Sequence, residues 1–222
     1  MKEKILYGFG DSLVDGHYIG IGMLDALAEK YGMDYHKYAV NGAKILPASP
    51  LLDEEGRPVP DVAAQIRSAS PVVPDFICFD GLTNDAYPDL IDGKLGSLSR
   101  TYGGSYDRTT FYGAFEHICF LLREKYADSL IFYICVHKMP TRDMETQTVL
   151  QRAARESCEK WSIPYVDIFR RGQLNTCIDE MRRQYSYNTP DCLADGNGTH
   201  LNGKGYEKWY LPMIEAAMKP YL

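Results

Sequence analysis

The sequence predicts an α/β protein built on a five-stranded parallel sheet. Short apolar runs alternate with segments of helical period, which is the pattern of strands joined by crossover helices. The run Phe76–Phe79 is almost continuously apolar, as a strand covered on both faces must be. Its 222 residues suffice for one sizeable core and do not require a second, so a single domain over residues 1–222 is expected.

Strand one is placed at Ile5–Phe9, followed by a helix over 21–31 whose Met23, Leu24, Leu27 and Ala28 share a face. A short strand over 35–40 ends at the turn signal Asn41-Gly42. Pro60, a residue type tolerated in a first helical turn, opens a helix over 60–69. After strand three, residues 86–107 form a long stretch rich in Gly, Ser, Asp and Tyr, the candidate for a lid or specificity loop. A helix over 110–126 carries Phe111, Phe115, Ile118 and Leu122 on one stripe. Strand four covers 130–136, a helix 142–160 and strand five 165–168. The last helix begins near Asn202 and is expected to bend or restart at Pro212.

A net charge of −6 gives no basic footprint for nucleic acid or anionic membrane and favours small neutral or cationic partners. The N-terminus lacks a signal-peptide core, and no apolar stretch approaches the ~20 residues of a membrane span, so a cytoplasmic protein with no membrane partner is expected. Six scattered cysteines, without a C-x-x-C pair or zinc spacing, read as reduced thiols, and neither metal nor cofactor is expected.

An open parallel sheet collects its chemistry at the carboxyl ends of its strands, and Ser12, Gly42, Asn84 and His137 all follow predicted strands. Gly8-Phe9-Gly10-Asp11-Ser12 is not a phosphate loop, for no G-x-x-x-x-G-K-[ST] follows, and no serine fits G-x-S-x-G. A serine at a strand-to-helix turn serves equally well as a helix cap. The blocks Gly10-Asp11-Ser12-Leu13, Asn41-Gly42-Ala43, Thr83-Asn84-Asp85 and His200-Leu201-Asn202, taken in order, resemble the SGNH (GDSL) hydrolase family from Gly10 to about Tyr206.

That resemblance implies a flavodoxin-like three-layer α/β/α sandwich and a serine esterase or acyl hydrolase. It implies Ser12 as nucleophile, His200 as general base, and an oxyanion hole from the backbone N–H groups of Ser12 and Gly42 and the amide of Asn84. Two blocks depart from the family pattern. G-x-N-D has Leu82 in the glycine place with Gly81 before it, and D-x-x-H has Asn197 in the acid's place, with Asp195 five residues before His200. Asp195 across the Asn197-Gly198 insertion, Asn197 as an amide, or a backbone carbonyl could orient the imidazole; the anion, which stabilises an imidazolium, is favoured.

Among the other histidines, His137 at the end of strand four reads as a substrate contact or a satisfied loop residue, His17 as a solvated loop residue that could also line the pocket mouth, and His117 as structural. Tyr87, Tyr102, Tyr106 and Tyr112 could present aromatic faces to a substrate from the long loop, or simply pack. Arg142 and the other charges of the 142–160 helix read as a solvated face. Two functions from different classes follow: hydrolysis of a short-chain carboxylic ester, such as an acetyl ester of a carbohydrate, or a non-catalytic ligand-binding module derived from a hydrolase.

Overall fold

The computed structural model describes residues 3–47, 52, 56, 58–103, 105–188 and 196–222. Its centre is one five-stranded sheet, β1 (Ile5–Phe9), β2 (Asp34–Lys37), β3 (Phe76–Phe79), β4 (Leu130–Cys135) and β5 (Tyr165–Asp167). All neighbours are parallel, in the order β2-β1-β3-β4-β5. This is the flavodoxin-like order, whose switch point lies where the chain steps from β1 to opposite sides of itself. Leu6 pairs with Phe76 and Phe9 with Phe79, so β1 and β3 end level with each other. The segments that follow them, 10–12 and 80–85, therefore emerge side by side.

The one-turn helix α1 (Ser12–Asp15) follows β1 directly, and α2 (Asp25–Tyr31) leads to β2. The helix expected from residue 21 thus begins at 25, because residues 21–24 fold as a turn after Gly20. β2 stops at Lys37, although Tyr38 still donates to Gly8 O and Val40 to Gly10 O across 2.8 and 3.1 Å. α3 (Val62–Ser68) is capped by Asp61, whose carboxylate accepts from Ala64 N at 2.6 Å.

The long stretch after β3 is less free than its composition suggests. It holds α4 (Pro88–Ile91), and its far end is tied down: Lys160 Nζ donates to Ser99 O and Thr101 O, and Ser99 N donates to Glu116 at 2.7 Å. Lys160 and Glu116 also form a buried ion pair. These partners belong to α6 (Met144–Lys160) and α5 (Phe111–Lys125), which pack against each other, with α3 beside α5.

Besides α1 and α4, the short helices α7 (Ile168–Arg171) and α8 (Asp179–Tyr185) escaped the pattern reading, being too short to show a helical period. The C-terminal segment runs through α9 (Gly203–Gly205), a π-turn over Tyr206–Tyr210 and α10 (Leu211–Met218), which contacts α2. The widened turn precedes Pro212, which sits in the first turn of α10 where its missing N–H costs nothing. Among the described residues, no helix is long and apolar enough to cross a membrane.

Candidate active site

β1 delivers the chain into a tight turn at Gly10, whose φ of +140° is open to glycine and strained for other residues. A Cβ there would overlap the Asp80 carboxylate. The turn is held from two sides. Gln65 of α3 clamps Gly10, accepting from its N–H at 2.9 Å and donating to its carbonyl at 2.8 Å. Asp80, directly after β3, accepts from Asp11 N at 3.0 Å.

Asp11 in turn caps α1 through Leu13 N at 2.9 Å, leaving Ser12 as the first helical residue. Asp11 and Asp80 are both fully buried. Burial raises the Asp11 carboxyl to about 6, and burial with the neighbouring Asp11 charge pushes Asp80 well above the usual carboxylate range. Asp80 Oδ2 makes no close hydrogen bond among the described residues, and the Asp11 and Asp80 side chains interact directly, so the pair shares this buried site at the cost of one charge.

Ser12 Oγ lies 3.0 Å from His200 Nε2. Only 6% of Ser12 is exposed. His200 hangs on the loop 196–200, whose shape is set by polar contacts. Asn197 Oδ1 accepts from Thr199 N at 2.7 Å and His200 N at 3.2 Å, so this amide positions the histidine's backbone and does not meet its ring. Tyr187 N donates to His200 O at 3.1 Å. Asp195 lies outside the described residues. Among the described residues nothing bonds His200 Nδ1, which is buried.

Burial, with the charges of His17, Arg142 and His137, lowers the His200 imidazolium to about 3. The ring is therefore neutral at pH 7 and can accept a proton at Nε2 only with its hydrogen on Nδ1.

For His17 the favoured reading fails and the alternative, a place beside the site, is the nearer one. It is not a solvated loop side chain: its ring stacks on His200 at 3.9 Å and 20°, on a backbone with φ +44°. Tyr187 flanks His200 at 5.9 Å. His137 is fully buried and faces no substrate. Its Nε2–H donates to Gly198 O at 2.9 Å, and Nδ1 accepts from the Tyr210 hydroxyl at 2.7 Å. A carbonyl can only accept, which fixes this tautomer, and burial lowers the ring to about 4, keeping it neutral. His137 thus braces the loop carrying His200.

The segments of the expected oxyanion hole meet around the same point. Gly42, at φ +81°, lies in a turn closed by Ala43 N donating to Val40 O at 3.0 Å. Asn84 Nδ2 donates to Ala43 O at 3.0 Å and reaches Asp11 Oδ2 at 3.4 Å. Asp85 accepts from Ile45 N and Leu46 N, both at 2.9 Å, stitching the loops after β2 and β3 together. Gly81, one position before the glycine place of the family pattern, has a φ of +139°, and an added Cβ would press on Ile45. Leu82 is free to fill the core instead.

Two more expectations change. Tyr106 is 9% exposed and packs on Phe120 and Trp161, so it is a core residue and offers no face to a ligand. Tyr87 is 42% exposed and lies under the Arg142 guanidinium at 4.5 Å. Arg142 precedes α6 instead of lying on its solvated face; its Nε donates to Thr83 O at 2.6 Å, and its charge is felt by both His200 and Asp11.

The fold and the Ser12–His200 pair describe a hydrolase of the SGNH type. The profile of the GDSL-like lipase/acylhydrolase family matches residues 6–212, and the chain belongs to that family of ester-hydrolysing enzymes. A sequence comparison with curated proteins finds no significant match. Among solved structures, a Lactobacillus plantarum protein superposes with a TM-score of 0.76 at 17% identity, covering 100% of this chain and 99% of the other. Phospholipase A1 from Streptomyces albidoflavus gives 0.63 at 12% identity over 97% and 99% of the two chains. A family two carbohydrate esterase from Clostridium thermocellum gives 0.60 at 14% identity over 99% of this chain and 64% of that one. At such identities the likeness shows a shared fold.

Proposed function

We propose that the protein hydrolyses a short-chain carboxylic ester through an acyl-enzyme on Ser12, with His200 as general base. The observation that carries this reading is the 3.0 Å separation of Ser12 Oγ and His200 Nε2. In the proposed reaction His200 takes the hydroxyl proton as Oγ attacks the carbonyl carbon. The oxyanion is received by the N–H groups of Ser12 and Gly42 and by Asn84 Nδ2, which gives up its long 3.4 Å contact with Asp11 to do so, each donor contributing on the order of 10²- to 10³-fold in rate. The protonated His200 returns its proton to the leaving alcohol, then deprotonates the water that releases the acid.

Asp195 is proposed as acceptor for the buried Nδ1–H, which has no partner among the described residues. An anion there would stabilise the imidazolium that burial disfavours. An acetyl ester of a carbohydrate is the proposed substrate type, supported by the fold's likeness to a carbohydrate esterase.

The test is turnover of p-nitrophenyl acetate with covalent labelling of Ser12 by a serine-directed phosphonate. Ser12→Ala and His200→Ala should each lower kcat by ~10³-fold or more. A folded protein that neither turns over nor labels, yet binds ligand, would be the non-catalytic module.

A further inference from the structure

Beside the Gly42 and Asn84 limb of the site lies a cavity of about 560 Å³ whose lining includes Lys44, Lys94 and Arg108. Lys44 follows Gly42 by two residues, and Asp85, also in the lining, follows Asn84 directly. The three cations come from three separate segments and are brought together by the fold. Lys94 O accepts from Phe111 N at 2.7 Å, which draws the segment after α4 against the start of α5, where Arg108 stands. In a chain of net charge −6, such convergence is not expected of random surface charge.

The cations are only lightly neutralised. Neither Lys44 nor Lys94 has a side-chain ion pair among the described residues. Arg108 is 3.6 Å from Asp61, which also serves as the cap of α3. Asp85, the one carboxylate among the described lining residues, is buried and uses both oxygens on the N–H groups of Ile45 and Leu46. The opposite flank of α4 forms a separate groove lined by Asp89, Asp92, Asp143 and Glu145. Charge is thus sorted by sign across the α4 turn, and the positive side is the one whose Lys44 and Asp85 adjoin Gly42 and Asn84 along the chain.

We propose that this cavity holds an anionic group, a carboxylate or phosphate, on the ester that Ser12 cleaves. The proposal rests on the hydrolase reading of Ser12 and His200 and narrows its substrate class. It reverses the expectation of neutral or cationic partners drawn from net charge, because a ligand responds to the local field of its pocket. Arginine's fork and two lysine point charges suit an oxyanion. The volume falls in the range of small-molecule sites and accommodates a short acyl chain or a monosaccharide carrying the charge.

The test compares esters matched in shape and differing in charge. On the acyl side the pair is mono-p-nitrophenyl glutarate and p-nitrophenyl valerate; on the alcohol side it is 4-acetoxybenzoate and its methyl ester. The wild type should prefer the anionic member of one pair by ~10-fold or more in kcat/KM, a gap of about 1.4 kcal/mol. In Lys94→Glu/Arg108→Gln that ratio should fall to near one, with Lys94→Glu alone giving a partial loss. A ratio unaffected by both variants overturns the proposal, whichever ester is faster.

Calorimetric titration with glutarate and inorganic phosphate supplies a readout independent of turnover. Binding by the wild type that is lost in the double variant supports the cavity even if no ester is cleaved, in which case the Ser12 reading alone falls. Equal binding, or none, by wild type and double variant in a protein that cleaves no ester overturns the cavity as well.

Discussion

Gln65→Ala tests how the nucleophile turn is held. Gln65 is buried, and its side chain makes two hydrogen bonds of 2.9 and 2.8 Å to the backbone of Gly10, two residues before Ser12. Removing it orphans Gly10 N–H, at a cost of about 1–3 kcal/mol, and loses one further bond of ~1 kcal/mol. Gly10 O keeps a partner in Val40 N at 3.1 Å, so the carbonyl is not orphaned. The sum, roughly 2–4 kcal/mol, corresponds to a Tm lower by roughly 5–15 °C for a domain of this size. Gln65→Met fills much of the same volume without the polar contacts, separating a cavity from a lost clamp. Urea and thermal denaturation give the stabilities, and p-nitrophenyl acetate hydrolysis reports the turn, where a displaced Oγ should cost ~10-fold or more in kcat. A Met variant that melts and turns over like the wild type would refute the idea that the two hydrogen bonds, rather than packing, hold Ser12 in place.

Other outcomes follow from the same contacts. Because His200 must be neutral to accept a proton, kcat/KM is lost as pH falls through its pKa, which burial and the neighbouring positive charges lower to about 3. The proposed Asp195 anion should raise it, so the wild-type acid limb should move down in Asp195→Asn; a profile flat from pH 8 to about 5 in both proteins would remove Asp195 from that role. Asp80 is raised in the folded state, so it keeps a proton that the unfolded chain releases above ~3.9, and its contribution to stability falls as pH rises. Asp80→Asn, whose amide oxygen can accept from Asp11 N and whose NH₂ can donate to the Asp11 carboxylate, should therefore gain on the wild type between pH 5 and pH 8 in urea melts; an unchanged gap would mean Asp80 is ionised. Lys160→Met leaves Glu116 buried without its ion-pair partner and should cost ~3–5 kcal/mol, read by denaturation, while a cost below ~1 would show the pair to be incidental.

The sheet was legible because a buried strand shows itself locally: Phe76–Phe79 needs no partner to be recognised as apolar on both faces. The turns that carry Ser12, Gly42 and Asn84 were legible because a sharp turn at a strand end leaves a local mark of glycine, serine and asparagine, whereas His200 was singled out only by the family resemblance. What holds them was not. Gln65 meets Gly10 across 55 positions and Asp80 meets Asp11 across 69, and a single glutamine in an amphipathic helix carries no sign of such a contact. Arg142 reads as one more surface charge until the fold places it over Tyr87. The long loop looked mobile from its composition because its anchors, Glu116 and Lys160, lie in helices that follow it.

The two departures from the family pattern show what such a pattern specifies. Ahead of Asn84 the glycine stands at position 81, one step before its place in G-x-N-D, with φ +139° and with Tyr133 Oη donating to its carbonyl at 2.8 Å. The asparagine arrives at Ala43 O all the same. D-x-x-H couples two tasks, turning the chain before the histidine and presenting an anion to its ring. Here Asn197 performs the first through its bonds to Thr199 N and His200 N, which commit its only acceptor oxygen to the backbone. The second task must fall to another group, because that oxygen is already taken by two backbone N–H groups and an unpaired buried N–H costs about 1–3 kcal/mol. An asparagine in the acid's place is thus a reason to look for a separate anion, and replacing Asn197 by Asp should loosen neither the turn nor the demand for that anion, leaving kcat close to the wild-type value.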